Sequence, residues 1–216
     1  MLQPILVSLK VASLALILIV GISLLLVRIF TEKDFRCKEP LETLIMLPMV
    51  LPPTILGYGL LLLFGRHGFL GKPLFALFDA SLIFTWGAAV LAAFIVGLPL
   101  MYQSLKGGIT AIDEQYIQAA RTLGIEENKI FWRIKLPLAK QGFISGLALA
   151  LARALGEFGA TLMVAGNIPG KTQTVPIAIY FAVEAGRYKE ANILLGFMLL
   201  SSLGLIYFIT SKRKGR

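Results

Sequence analysis

The chain has 216 residues, 57% of them hydrophobic, and a mean hydropathy of +0.80, which excludes an ordinary soluble domain and points to a polytopic membrane protein. A net charge of +9 would suit a nucleic-acid binder, but the basic residues are parted among loops between apolar runs, as the positive-inside rule expects. One cysteine, Cys37, excludes an intrachain disulfide framework, and no small-residue cleavage site follows the long first apolar run.

A spanning helix needs ~20 apolar residues, and the apolar runs allow about five crossings in one membrane domain, 8–210, followed by a basic tail, 211–216. Ile5 to Phe30 reads as the first span, and the charged loop Thr31 to Pro40 follows it. Leu41 to Phe64 is the second, but Pro48, Pro52 and Pro53 fall inside it, and each removes a backbone donor, so this helix is expected to be bent or broken. Between Gly65 and Ser81 lies an apolar piece too short to span, read as re-entrant or interfacial. It holds the only histidine, His67, without a second ligand nearby, so no metal site is expected. Leu82 to Tyr102 is the third span, Leu138 to Ala165 the fourth and Ala191 to Thr210 the fifth, with a mixed stretch at Asn167 to Glu190.

The longest polar segment, Ile112 to Pro137, separates spans three and four. Ile112, Tyr116, Ala119, Ala120 and Leu123 recur at helical spacing and predict a short helix with one apolar face. Thr110 with Asp113 three residues later has a capping-box pattern, and Gly124 can take the left-handed conformation that stops a helix. Glu126 and Glu127 suit the start of a second helix, with Ile130, Phe131 and Ile134 on its apolar face until Pro137. Amphipathic pieces of this kind either lie on a bilayer or dock into another protein.

The spacing within this segment resembles the EAA loop of ABC importer permeases, in which Glu-Ala-Ala-x3-Gly-x9-Ile-x-Leu-Pro forms the cytoplasmic coupling helices. The matching residues are Ala119, Ala120, Gly124, Ile134, Leu136 and Pro137; Gln118 stands where the family has Glu, and its amide can still hydrogen-bond. Leu151 to Tyr180 is similar to the corresponding segment of molybdate importer permeases, and Leu47 to Gly71 to their second-helix region; sulfate and tungstate permeases share much of this pattern. The resemblance implies an all-α type I importer permease without its own ATPase site. It implies a second copy of the chain, two cytoplasmic ATP-binding subunits carrying ATP and Mg, and an extracytoplasmic oxyanion-binding protein as partners. It also implies contact between the ATPase and Gln118, Ala119, Ala120, Arg121, Gly124, Ile134, Leu136 and Pro137.

With the coupling segment inside, fourteen Lys and Arg residues fall on the cytoplasmic side and six outside, which sets the N-terminus outside and the C-terminus in the cytoplasm of a plasma-membrane protein. The remaining one, Arg153, lies in the fourth span four residues before Glu157, so the two can pair. An intramembrane ion pair marks a substrate path or, alternatively, a packing lock near the cytoplasmic end. Pro52, Pro53, Arg153, Glu157 and Thr161 are the pathway candidates, because kinked backbone and weak polar contacts suit an oxyanion that must also leave. Gly166 to Thr172 imitates a phosphate-binding loop, but it has three residues between its glycines where four are needed, and a membrane helix precedes it. No paired acid and base, activated nucleophile or metal cluster is legible, and two classes remain: an ATP-coupled permease for molybdate, tungstate or sulfate, and a channel or scaffold that needs no ATPase.

Overall fold

The computed structural model describes residues 2–79 and 81–213, all of its regular elements helical. Residues 214–216 of the expected tail lie outside the described residues. α1 (Leu2–Glu32) and α5 (Trp86–Thr110) are long and apolar enough to cross a membrane unaided. Counting two bent helix pairs as one span each raises the number to four among the described residues, and the fifth expected span falls within α12 (Tyr188–Arg213).

The second expected span is broken, as its prolines predict. α2 (Lys38–Val50) ends at Leu51, and α3 (Pro53–Phe64) leaves at 119° to it. Pro53 is the first residue of α3, where a missing N–H costs nothing, so the break falls at the Pro52–Pro53 pair and not at Pro48, which stays inside α2. α4 (Gly71–Phe78) is about 12 Å long and cannot span.

The third and fourth spans differ from the sequence reading. α5 begins at Trp86 because Thr85 caps it, its hydroxyl accepting from the Ala88 amide at 3.3 Å, while Phe84 takes a left-handed φ of 63°. It then runs eight residues past Tyr102, with Pro99 inside. The fourth span is two helices, α9 (Lys140–Leu155) and α10 (Gly159–Ala165), interrupted at Gly156, Glu157 and Phe158.

α5 is the central post, packed against α1 on one flank and α9 on another. Small residues permit the approach: Ala88, Ala89, Ala92, Ala93 and Gly97 are buried along α5, facing Ala12, Ala15 and Ile19 of α1. A methyl group at Gly142 would stand 2.6 Å from the Ser104 carbonyl oxygen, and Gly108 meets the same place from α5. Backbones therefore touch at this crossing. α11 (Val175–Glu184) packs on α12 and is held to α1 by Ser8, whose hydroxyl accepts from the Val175 amide at 2.7 Å. Large apolar side chains such as Ile17, Ile55, Leu62 and Leu203 remain exposed on several helices, a surface that suits lipid or a further protein chain and not water.

Candidate coupling hairpin and membrane path

The polar segment folds as a helical hairpin. Asp113, not the expected Thr110, caps α6 (Glu114–Thr122), its carboxylate accepting from the Gln115 amide at 3.0 Å. Thr110 still belongs to α5, and its hydroxyl donates back to the Lys106 carbonyl. Gly124 has φ +73° and closes α6: the Gly124 amide donates to Arg121 O and the Ile125 amide to Ala120 O, the paired bonds of a Schellman motif. Nothing lies within 4 Å of where a Gly124 side chain would start, so the need for glycine there is conformational.

The return arm of the hairpin is α7 (Glu127–Ile130), a π-helical turn (Phe131–Lys135) and α8 (Leu136–Leu138). The wider π turn ends two residues before Pro137, whose ring would otherwise meet the Arg133 carbonyl. A 72° bend at Ala139 then leads into α9. Pro137 itself is exposed, Leu136 packs at the edge of the main core, and Ile134 packs at the edge of the hairpin's own core.

That small core corrects the expected apolar face of α6. Ile117 and Ala120 are buried against Ile130, whereas Tyr116 and Leu123 are 56% and 79% exposed and Ala119 is exposed between them. α7 covers only one flank of α6, and the stripe Tyr116, Ala119, Leu123 has no cover among the described residues. Ala120 therefore supports the hairpin from inside and does not present itself for docking. Charges staple the outside: the Arg121 Nε donates to Glu127 at 2.7 Å, its Nη1 reaches Glu114 at 3.4 Å, and the Gln118 amide donates to Glu114 at 3.0 Å. The Arg121 hydrogen bond holds the Glu127 carboxyl below its usual range.

Two long-range links that the sequence does not disclose tie this end together. Lys135, buried in the π turn, lies 3.5 Å from Glu32 at the end of α1, and Arg28 holds the other Glu32 oxygen at 3.2 Å. Glu42 of α2 accepts from Tyr102 at 3.1 Å and pairs with Lys106, both on α5. Arg28 and Glu32 have i,i+4 spacing that could have been found; their partner 103 residues away could not.

The pathway candidates meet at two helix breaks. Gly159 is packed on Pro53, and a methyl at Gly57 would stand 2.8 Å from the Ala160 Cα, so the start of α3 lies directly on the start of α10. Glu157 is buried, accepts from the Ala160 amide at 2.8 Å through one oxygen, and has the other 2.5 Å from Arg153 Nη1. That contact has the distance of an ion pair without the alignment of a hydrogen bond. Arg153 is 13 residues into α9, roughly 20 Å from its start, so the pair sits deep in the span and not near the hairpin end. Pro52 is exposed beside this junction, whereas Thr161 is 1% exposed and lines no surface of the single chain. In the loop that imitates a phosphate site, the amides of Lys171, Thr172 and Gln173 all donate to Ile168 O, leaving none of the three to cradle an anion.

A bent-helix membrane core with a protruding helical hairpin defines a permease of the type I ABC importer fold. The chain resembles a chain of a bacterial alginate ABC transporter (TM-score 0.78, 14% identity, 99% of this chain and 78% of that one) and one of the MetNI methionine ABC transporter (0.70, 13%, 97% and 90%). The profile of the binding-protein-dependent transport system inner membrane component family matches residues 19–212, and the chain belongs to that family. It is 38% identical to the molybdenum transport system permease protein ModB of Escherichia coli (strain K12), over 99% of this chain and 96% of that one. It is 43% identical, over 97% and 92%, to YvgM of Bacillus subtilis (strain 168), whose name assigns it provisionally to molybdenum transport. A sulfate transport system permease protein, CysW of Synechococcus elongatus, is 38% identical over 83% of this chain and 60% of its own length.

Proposed function

We propose that this chain is the permease subunit of an ATP-driven importer that carries molybdate, and tungstate as an ion of like charge and size, across the cytoplasmic membrane. Two copies form the path, an extracytoplasmic binding protein delivers the oxyanion, and two cytoplasmic subunits hydrolyse ATP with Mg; this chain contributes no ATPase site. The observation that carries the coupling is the bare stripe Tyr116, Ala119, Leu123 on a hairpin whose other apolar flank is closed. A shallow cavity of 390 Å³ beside Tyr116, between the ends of α5 and α9, extends that surface. The molybdenum names of relatives aligned over nearly the whole chain support the substrate.

In this reading the hairpin moves with the ATPase. Lys135, Glu32 and Arg28 pass that movement to α1, and the bend at Ala139 passes it to α9 and so to the junction of α10 with α3. A neutral Arg153–Glu157 pair there leaves no fixed net charge to trap a dianion. The orientation is N-terminus outside and hairpin inside. Cys37 is exposed and tests it: an impermeant maleimide should label Cys37 only after the membrane is opened, and labelling in sealed cells would reverse the orientation.

Proteoliposomes holding the chain, its ATPase and its binding protein should accumulate molybdate on ATP addition, with tungstate competing. The similarity to a sulfate permease supplies the second reading. Sulfate transport with no response to molybdate would establish that reading instead.

A further inference from the structure

At the end of the molecule opposite the hairpin, a cavity of 620 Å³ opens between the start of α1, the turn before α5 and the loop before α11. Leu6, Val7 and Phe84 form its apolar walls, and Lys10, Lys171 and Trp86 its polar rim, with no acidic residue in the lining. The Lys10 ammonium lies 4.0 Å from the centre of the Trp86 ring, a cation–π contact, and neither lysine has a carboxylate within ion-pair distance among the described residues.

Depth along the two long helices fixes what surrounds this cavity. Lys10 precedes Arg28 by 18 residues on α1, about 27 Å, and Trp86 precedes Lys106 by 20 residues on α5, about 30 Å. Both separations match the ~30 Å of a hydrocarbon core. With Arg28 and Lys106 at one polar boundary, Lys10 and Trp86 stand at the other, at headgroup level, where Trp is favoured. Below Lys10 the residues Ser13, Ile17 and Gly21 are exposed at helical spacing. They form an uncharged lane, small beside the lysine and apolar further down, that runs along α1 toward the bilayer centre.

We propose that this cavity binds the phosphodiester of an anionic phospholipid in the leaflet opposite the hairpin, with an acyl chain passing Ser13 and lying along Ile17 and Gly21. The chemistry it shares with a free oxyanion is a tetrahedral anion facing two ammonium groups. The lipid fits better because the hydroxyl donors of the lining are already spent: the Thr85 hydroxyl donates to Leu82 O and that of Thr172 to Gly166 O. A dehydrated dianion needs such donors, whereas a lipid phosphate is held jointly by charge and by its chains. The inference rests on the membrane reading above and not on molybdate or on orientation.

Native mass spectrometry of the full-length chain in mild detergent, with phosphatidylglycerol or phosphatidylcholine added, tests it. Phosphatidylglycerol should bind preferentially, and Lys10→Gln and Lys171→Gln should each weaken it about fivefold. Lys171 is on an exposed loop, so its variant keeps the test open if Lys10→Gln disturbs insertion. Molybdate and inorganic phosphate should not displace the lipid. Equal phosphatidylglycerol binding in wild type and both variants would overturn the proposal, and displacement by either free anion would reassign the cavity to a soluble oxyanion.

Discussion

The two ends of this molecule are held by different means. At the hairpin end, ion pairs join elements far apart in sequence: Glu32 of α1 with Lys135 of the π turn, and Glu42 of α2 with Lys106 of α5. At the far end the ion pair among the described residues is local, Arg187 with Glu190, and long-range ties are hydrogen bonds from backbone amides, Phe84 N–H to Val164 O and Val175 N–H to the Ser8 hydroxyl. A partly buried ion pair resists separation of its elements, because parting it strands a charge. The contrast teaches that the hairpin end is built to move as one piece with whatever grips it.

Breaking the Glu32 link should have the largest effect. Glu32→Gln leaves Lys135 buried without a counter-charge and is expected to cost ~3 kcal/mol, read as lowered thermal stability and lost ATP-stimulated transport. Lys135→Met should be milder, because Arg28 still holds Glu32. The double variant should recover part of the loss; if it is as unstable as Glu32→Gln alone, the pair does not join these elements.

Gly142→Ala comes next. Its methyl would press on the Ser104 carbonyl where α9 crosses α5, an overpacking of ~1–3 kcal/mol that should appear as a lower melting temperature with the ATPase still bound. Gly124→Val has room but opposes a left-handed φ, costing ~1–2 kcal/mol within the hairpin. It should insert normally and lose coupling, the reverse of Gly142→Ala.

The smallest effect belongs to the exposed Arg121–Glu127 staple. Because the Glu127 carboxyl is lowered when folded, its contribution is complete above the ordinary value of 4.5 and is lost only as pH falls through the depressed one. Stimulated hydrolysis in wild type and Arg121→Ala should therefore run parallel between about pH 5 and 8, since exposed pairs contribute little. A loss confined to the variant near neutrality would mean that the staple shapes the hairpin.

Legibility in the sequence followed the range of the interaction. Gly124 as a helix stop, a break among the prolines of the second span, and the Arg153–Glu157 spacing are local, and the structure has each of them. The start of α5 was misplaced by four residues because apolar character begins at Leu82 while the cap is Thr85. The interruption at Glu157 was missed because no proline marks it; the signal available was Gly156 and Gly159 around a charge. On α6, spacing put Ala119, Ala120 and Leu123 on one apolar face, but only α7 folding back decides which flank is used. The depth of Arg153 and the burial of Thr161 likewise depend on helices distant in sequence.

The central claim is that the uncovered stripe of α6 is the ATPase contact, and Leu123→Glu tests it most directly, with Ala120→Leu alongside. Copurification of the ATPase subunit and substrate-stimulated hydrolysis would be measured at equal permease content in membranes. Leu123 is 79% exposed, so Leu123→Glu should leave the permease as stable as wild type but release the ATPase and abolish stimulation. Ala120→Leu, pressing on Ile130 inside the hairpin, should lower stability as well as coupling. Wild-type copurification and stimulation in Leu123→Glu would contradict the account and leave the stripe as a surface that meets only lipid.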